Sequence, residues 1–220
     1  MKKRKFNART HPALPSSEFE DRARRAGYAL VAGVDEAGRG ALAGPVVAAA
    51  VILPAHREIP GLDDSKRLTP SAREALRAEI QRHAIGWAVG TATPAEVDEL
   101  NVLRATQWAM AKALERLRPS PHYALVDGRP VRGLPVPFCA LIDGDARSVS
   151  IAAASIVAKV ERDRIMCKLD QRFPGYGFAQ HKGYSTRQHR LALRLHGPCP
   201  IHRYTFRPVR LCAQTRLALE

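Results

Sequence analysis

Asp35-Glu36, Asp127, Asp143 and Asp145 are the residues of this sequence whose type and placement could do chemistry. Each acid or pair falls where a short apolar run ends, after residues 28–34, 122–126 and 138–142. Asp127 stands between Val126 and Gly128, and Asp145 between Gly144 and Ala146. An isolated carboxylate in such an apolar, close-packed context is costly, and a divalent cation is the natural compensation. Oxygen ligands with no neighbouring Cys or His favour Mg²⁺ or Mn²⁺ over Zn²⁺. Two such ions about 4 Å apart stabilise both the attacking and the leaving oxygens of a phosphodiester displacement. Geometry raises one objection. Neighbours in a strand point to opposite faces, so Asp35 and Glu36 share a site only if the strand ends or bulges there. Gly38 and Gly40 allow such a break; the other reading makes one of the pair a turn acid.

Three further segments carry polar groups suited to a ligand. In Gly38-Arg39-Gly40, two glycines let the backbone approach a ligand closely with its N–H and C=O groups free to bond it; the alternative is a flexible hairpin with an exposed arginine. Asp64-Ser65-Lys66 precedes a helical stretch and suits phosphate contact, although Asp/Ser loops also serve as turns and caps. His181-Lys182-Gly183-Tyr184 interleaves basic residues with one aromatic, a composition that lets a sugar or base pack on the ring beside a phosphate.

The elements that must position these residues read as strands alternating with helices. Residues 28–34 and 45–53 are apolar runs joined by the glycine-rich stretch 37–44, long enough for a wide hairpin. Residues 69–84 predict a helix with Pro70 near its start, and 86–93 a third strand. Thr93-Pro94-Ala95-Glu96 is a capping box that opens helical sequence to about residue 118. Strands follow at 122–126 and 138–142, then a long helix over 148–173 and a shorter one over 186–195, which Gly197-Pro198 ends. An antiparallel meander followed by alternating strands and helices implies an α/β fold, a mixed sheet covered by helices, with ligand chemistry at the strand ends.

Lys and Arg total 35 against 21 Asp and Glu, a net charge of +14 that points to a polyanionic partner. The charge is segregated. Residues 1–17 contain no acid, and between Asp170 and Glu220 stand nine Lys or Arg and four His. The longest apolar stretch, 41–53, is too short and too interrupted by Gly44 and Pro45 to cross a bilayer. The basic start, Lys2 to Lys5, has no apolar segment behind it, which argues against a secretory signal. Cys139, Cys167, Cys199 and Cys212 are scattered, consistent with reduced thiols in the cytoplasm and against a structural zinc site.

At the motifs quoted, extended through 31–40, 44–49, Val126-Asp127-Gly128, Gly144-Asp145-Ala146, 150–160, Arg162-Asp163, Tyr176-Gly177-Phe178 and Pro200-Ile201-His202-Arg203, the sequence closely resembles the type 2 ribonucleases H, specifically the bacterial ribonuclease HII family. The resemblance is colinear from about residue 30 to 208. It implies an RNase H-like mixed five-stranded sheet flanked by helices, with a C-terminal helical segment. It implies a metal-dependent endonuclease that cuts RNA in RNA–DNA hybrids and at ribonucleotides embedded in duplex DNA, leaving 3′-hydroxyl and 5′-phosphate ends, a role in ribonucleotide excision repair. Carried over, Asp35, Glu36, Asp127 and Asp145 would be the catalytic, metal-binding acids for two Mn²⁺ or Mg²⁺ ions. The backbone of Gly38, Arg39 and Gly40 would read the 2′-hydroxyl. Tyr184 would pack on the adjoining deoxyribose, with Ser65, Lys66 and Lys182 also contacting substrate. Arginine between the two glycines resembles HII, whereas the HIII group usually carries lysine there and an extra N-terminal domain. Asp143 departs from the pattern, standing where many relatives have lysine; it tunes the metal or faces solvent. Asp163, four residues after Lys159, reads as a helix ion pair.

The chain is expected to divide into a basic, flexible N-terminal tail over 1–27, a catalytic domain over 28–210 and a C-terminal tail over 211–220, working as a cytoplasmic monomer with no membrane contact. Near the end, Gln214-x-x-Leu217 is similar to sliding-clamp peptides, the alternative being a frayed amphipathic end. Two other classes compete with the ribonuclease reading: a DNA-directed nuclease of the same fold, and a basic hybrid-binding protein without chemistry.

Overall fold

A computed structural model describes residues 14–55, 59–63 and 65–217. Asp64, the basic run Lys2 to Lys5 and the last residues of the clamp-like segment, Ala218 to Glu220, lie outside the described residues. Five strands form one sheet: β1 (Val31–Ala37), β2 (Val46–Ile52), β3 (Gly86–Ala92), β4 (Tyr123–Asp127) and β5 (Phe138–Leu141). Their order is β3-β2-β1-β4-β5. β1, β2 and β3 pair antiparallel, while β4 pairs parallel to β1 and β5 parallel to β4. This is the mixed sheet expected from the order of the apolar runs.

Helices cover both faces. α3 (Pro94–Leu100) and α4 (Val102–Arg116) pack on one, where Ala32, Val34, Ala48 and Ala50 meet Ala105, Ala109, Met110 and Leu114. α2 (Pro70–His83) and the long α5 (Val149–Arg172) cover the other, where Ala49 and Val51 meet Ile80, Ala153, Ile156 and Val157. Small residues on the sheet let helices approach closely. A Cβ on Gly33 would stand 2.0 Å from the Ser150 carbonyl carbon, and one on Gly90 would stand 2.1 Å from the Ala109 oxygen. A chain poor in aromatics thus builds a dense core by close backbone approach rather than by large side chains.

The expected capping box is present, and two further helices are capped. Thr69 accepts from Ala72 N, Ser148 accepts from Ile151 N, and Thr93 with Glu96 forms the reciprocal capping box; each such cap contributes about 1 kcal/mol. The helix expected to continue to residue 118 is interrupted. Asn101 adopts a φ of 64°, and its side chain accepts from Leu103 N and Arg104 N, so it ends α3 and caps α4. Asn tolerates positive φ and offers a local acceptor, without the Gly or Pro that normally announces a break.

Both terminal boundaries also move. α1 (Glu18–Arg25) occupies residues expected to be a flexible tail, and the carboxylate of Glu20 is buried there. It accepts from Ser148 Oγ at 2.5 Å, Ser150 N at 2.9 Å and Ser150 Oγ at 2.6 Å, at the start of α5. A helix anchored by a buried acid in a charged run leaves no apolar periodicity to read. Likewise α8 (Arg207–Leu217) crosses the expected tail boundary at 210–211, and its Val209 packs against Leu42 and Leu193. α6 (Phe178–His181) and α7 (Arg187–His196) complete the C-terminal helical segment.

Because β1 lies against the α5 backbone, Gly33→Ala is expected to lower stability by about 3 kcal/mol or more. Denaturant unfolding checks this; a cost below about 1 kcal/mol would contradict the close approach.

Candidate active site

β1 does not break at the acidic pair. Its pairing with β2 continues through Asp35↔Ala49, Glu36↔Ala48 and Ala37↔Val47. Alternation therefore sends the two side chains to opposite faces, Asp35 towards α5 and Glu36 towards the α3–α4 side. The expected strand end at Asp35-Glu36 is thus corrected. What unites the acids is their place at the C-terminal ends of the parallel strands, where β4, beside β1 at the middle of the sheet, brings in Asp127. Asp145 sits in a short 3₁₀ turn, Gly144–Ala146, between β5 and α5. Asp127 Oδ1 accepts from Gly144 N at 2.7 Å and so ties that turn to β4.

The electrostatics of these strand ends are unfavourable to carboxylates alone. Burial, then the charges of Glu36 and Asp127, pushes Asp35 well above the usual carboxylate range. Burial also raises Glu36, opposed by Arg39 and reinforced by Asp127. Burial and the charge of Asp145 raise Asp127. Like charges held together in a desolvated place are what a divalent cation relieves, and the donors are oxygen only. Among the described residues, no three His, Cys, Asp or Glu side chains already converge as a cage. The Lys66 ammonium instead lies 2.8 Å from Asp145 Oδ2. The donor chemistry therefore fits Mg²⁺ or Mn²⁺, and the four acids share a field rather than a finished coordination shell.

The other expected site residues are distributed unequally. Arg39 is half exposed, with Nη1 3.7 Å from Glu36 Oε1. Gly38 has a φ of +90°, and a Cβ there would strike the Arg162 side chain at 1.8 Å. A Cβ on Gly40 would meet nothing within 4 Å among the described residues, so packing among them does not demand glycine there and leaves space for a ligand. The Tyr184 ring is partly exposed, with the Arg162 guanidinium 5.2 Å and the Lys159 ammonium 5.7 Å from its centroid. Ser65 departs from its expected contact with substrate. It is buried, and its hydroxyl lies 2.8 Å from Ser155 Oγ, which in turn bonds Asp35. Ser65 therefore supports an acid from behind. The Lys182 ammonium turns to the Ala179 carbonyl and to Cys167 Sγ at 3.4 Å, while its own carbonyl accepts from Arg162. Asp143 is exposed, at a φ of 53°. Asp163 pairs with Lys159 at 2.8 Å, as its spacing predicts.

Two residues quoted from the sequence only within matched motifs, without a role, organise the loop of residues 38–45. Arg162 donates to the carbonyls of Pro45, Ala43 and Lys182 at 3.0, 3.1 and 2.9 Å. Arg203 donates to Gly44 through two nitrogens, at 3.1 and 2.8 Å, and to Arg39 at 2.9 Å. Both guanidiniums are wholly buried. For Arg162 the available signal is its place in the matched Arg162-Asp163, two residues beyond the apolar run of α5; for Arg203, in a loop, it is only the matched Pro200-Ile201-His202-Arg203.

The chain matches the family model described as Ribonuclease HII over residues 32–209. It is 58% identical over 183 residues to a ribonuclease HII of Desulfitobacterium hafniense, covering 83% of this chain and 70% of that protein. Among solved structures it resembles the ribonuclease H2 of Pyrococcus horikoshii, with a TM-score of 0.73 at 31% identity over 84% of this chain and 98% of that one. It also resembles a chain from the PCNA:RNase HII complex of Archaeoglobus fulgidus, with a TM-score of 0.68 at 28% identity over 81% and 95%.

The raised acids carry a stability consequence. A folded-state pKa above the unfolded value of 3.8 means the fold holds its proton longer, so stability declines as pH climbs through that window and stays lower at neutral pH. Asp35→Asn, which keeps an oxygen for the Glu36 N–H, is expected to raise the thermal midpoint at pH 7 in chelator. A lowered midpoint would contradict the repulsion.

Proposed function

The chain belongs to the ribonuclease HII family, enzymes that cleave the RNA of RNA–DNA hybrids, and on that premise we propose how its own residues carry the reaction. Asp35, Glu36, Asp127 and Asp145 are the catalytic acids and would hold two divalent ions, Mg²⁺ or Mn²⁺. Bound there, the ions supply a water activated for attack and a positive charge opposite the leaving oxygen. The remaining work falls to the protein. Ser155 and Ser65 fix Asp35 from behind, and Gly144 N fixes Asp127. Water is taken as the nucleophile, with no covalent enzyme intermediate. Lys66 lies against Asp145, where its ammonium can meet a phosphate oxygen.

Recognition is assigned to the backbone of Gly38, Arg39 and Gly40, which would read the 2′-hydroxyl through the space a Cβ on Gly40 would fill. Tyr184 would pack on the sugar of the adjoining deoxynucleotide, so that cleavage falls 5′ of a ribonucleotide, including one embedded in duplex DNA, and leaves 3′-hydroxyl and 5′-phosphate ends. The basic C-terminal segment holds the duplex backbone, with affinity that falls steeply with salt. The observation that carries this reading is the open Gly40 backbone in a loop tied to the acidic strand ends. We take the catalytic domain as 28–210 enlarged by α1 and α8, acting as a monomer in the cytoplasm. The complex formed by the Archaeoglobus relative with PCNA favours a sliding clamp as a second partner, with Gln214 on α8 as a contact.

Cleavage assays in Mg²⁺ and in Mn²⁺, on a DNA duplex with one ribonucleotide, a uniform hybrid and an all-DNA duplex, test the proposal. Cutting is expected on the first two only, with Asp145→Asn reducing the rate about a hundredfold or more. Equal cutting of all-DNA substrate, or an active Asp145→Asn, would overturn it.

A further inference from the structure

A file of histidines beneath Tyr184 takes no part in the chemistry above. His181, His189 and His202 are buried, and the rings of His181 and His189 stack with centroids 4.4 Å apart. His189 and His202 meet through their Nε2 atoms at 3.1 Å. Two neutral imidazoles make that contact only if one Nε2 carries a proton and the other does not, and fixed backbone groups decide which. The Tyr184 carbonyl can only accept, so His189 Nδ1, 3.0 Å away, carries that ring's proton and its Nε2 is bare. His202 therefore donates from Nε2 to His189 Nε2. That leaves His202 Nδ1 to accept from Cys199 N at 3.0 Å rather than donate to the Cys199 carbonyl at 3.3 Å, with Cys199 Sγ at 3.2 Å. All donors run one way, from Cys199 through His202 and His189 to Tyr184. His181 is fixed in the same manner, accepting from Gly183 N at 3.2 Å on Nδ1 and donating from Nε2 to the Tyr176 carbonyl at 2.8 Å.

This file sits where it can govern the reading loop. Gly183 O accepts from Leu42 N at 2.8 Å, and Tyr184 N donates to His181 O at 3.0 Å, so residues 181–184 are clamped between the histidines and the loop. The Tyr184 carbonyl, shared with Thr186 N at 2.8 Å, is the end of the chain of donors. Burial pushes both His189 and His202 down to about 4, so both are neutral near pH 7 and the direction of the chain is kept.

We propose that His202 and His189 are positioning residues for Tyr184, whose ring they hold over the Arg162 guanidinium that also anchors the glycine loop, and that they thereby set the preference for an RNA-to-DNA junction over uniform hybrid. This rests on the reading of Tyr184 given above. The test is the ratio of kcat/KM for a DNA duplex holding one ribonucleotide to that for a uniform hybrid. It is measured for the unaltered chain, Tyr184→Ala, His202→Leu, His202→Gln and the Tyr184→Ala/His202→Leu double variant. His202→Leu is expected to lower the ratio about fivefold, the worth of one hydrogen bond, towards that of Tyr184→Ala. His202→Gln, whose amide can donate to His189, is expected to restore most of it. The double variant is expected to be no worse than Tyr184→Ala alone, because both act through one ring.

An unchanged ratio in His202→Leu while Tyr184→Ala loses the preference overturns this inference alone, as does a full additional loss in the double variant. An unchanged ratio in Tyr184→Ala overturns the reading of Tyr184 and this inference with it. Should His202→Leu fail to fold, ¹⁵N spectra of the histidines in the unaltered chain decide. Protons on Nε2 of His181 and His202 and on Nδ1 of His189 support the chain of donors, and any other pattern overturns it.

Discussion

Two buried guanidiniums, paired with no carboxylate among the described residues, hold the loop of residues 38–45 to the rest of the molecule. Arg162 and Arg203 make six hydrogen bonds, all to main-chain carbonyls, and those carbonyls belong to Arg39, Ala43, Gly44, Pro45 and Lys182. A buried cation is costly, and here carbonyl dipoles offset that cost. The strain of the arrangement is visible in both groups. Burial lowers Arg162, and burial with the charge of Arg162 lowers Arg203 to about 9. At about 9, Arg203 remains charged at neutral pH. Every loop carbonyl they bind must point inward, so the conformation of residues 38–45 is a consequence of where the two arginines stand.

The remainder of the site can be derived from that constraint. Arg162 stands on α5, which lies hard against β1 because Gly33 lets the Ser150 backbone come close. The helix that tethers the loop is thus the helix that carries Ser155 to Asp35. Arg162 also underlies Tyr184, and Arg203 neighbours His202, so the C-terminal segment is tied to the same loop from a second side. A field of acids that repel one another stands beside a loop drawn in by buried cations. The first demands metal ions, and the second presents a backbone at a fixed place. The net charge of +14 serves a different purpose, since it can attract a polyanion without choosing one.

Much of this was legible in the sequence. The strands and capped helices were, because their signals are local: alternating or continuous apolar runs, Thr before Pro, glycines between strands. The gathering of acids at the strand ends was legible too, since carboxylates after apolar runs are chemically conspicuous, although only the resemblance separated Asp143 from the other four. What escaped has a common physical cause. Arg162, Arg203 and Glu20 are buried charges satisfied by backbone or serine groups far away in sequence, and such bonds leave no periodicity and no paired residue to find. Asn101 broke a helix with a single side-chain acceptor. Ser65 looked like a phosphate contact because polarity suggests exposure, yet its hydroxyl was required behind Asp35.

The central claim is that the buried arginines fix the reading loop, and amide hydrogen exchange in Arg203→Lys tests it most directly. Lysine keeps the charge but not the fork that spans Gly44 and Arg39. The account predicts that the amides of Leu42 and Gly44, which now donate to Gly183 and Ile201, lose protection together by about tenfold or more, while the β1–β2 ladder is unchanged. Protection at Leu42 and Gly44 equal to that of the unaltered chain would contradict it.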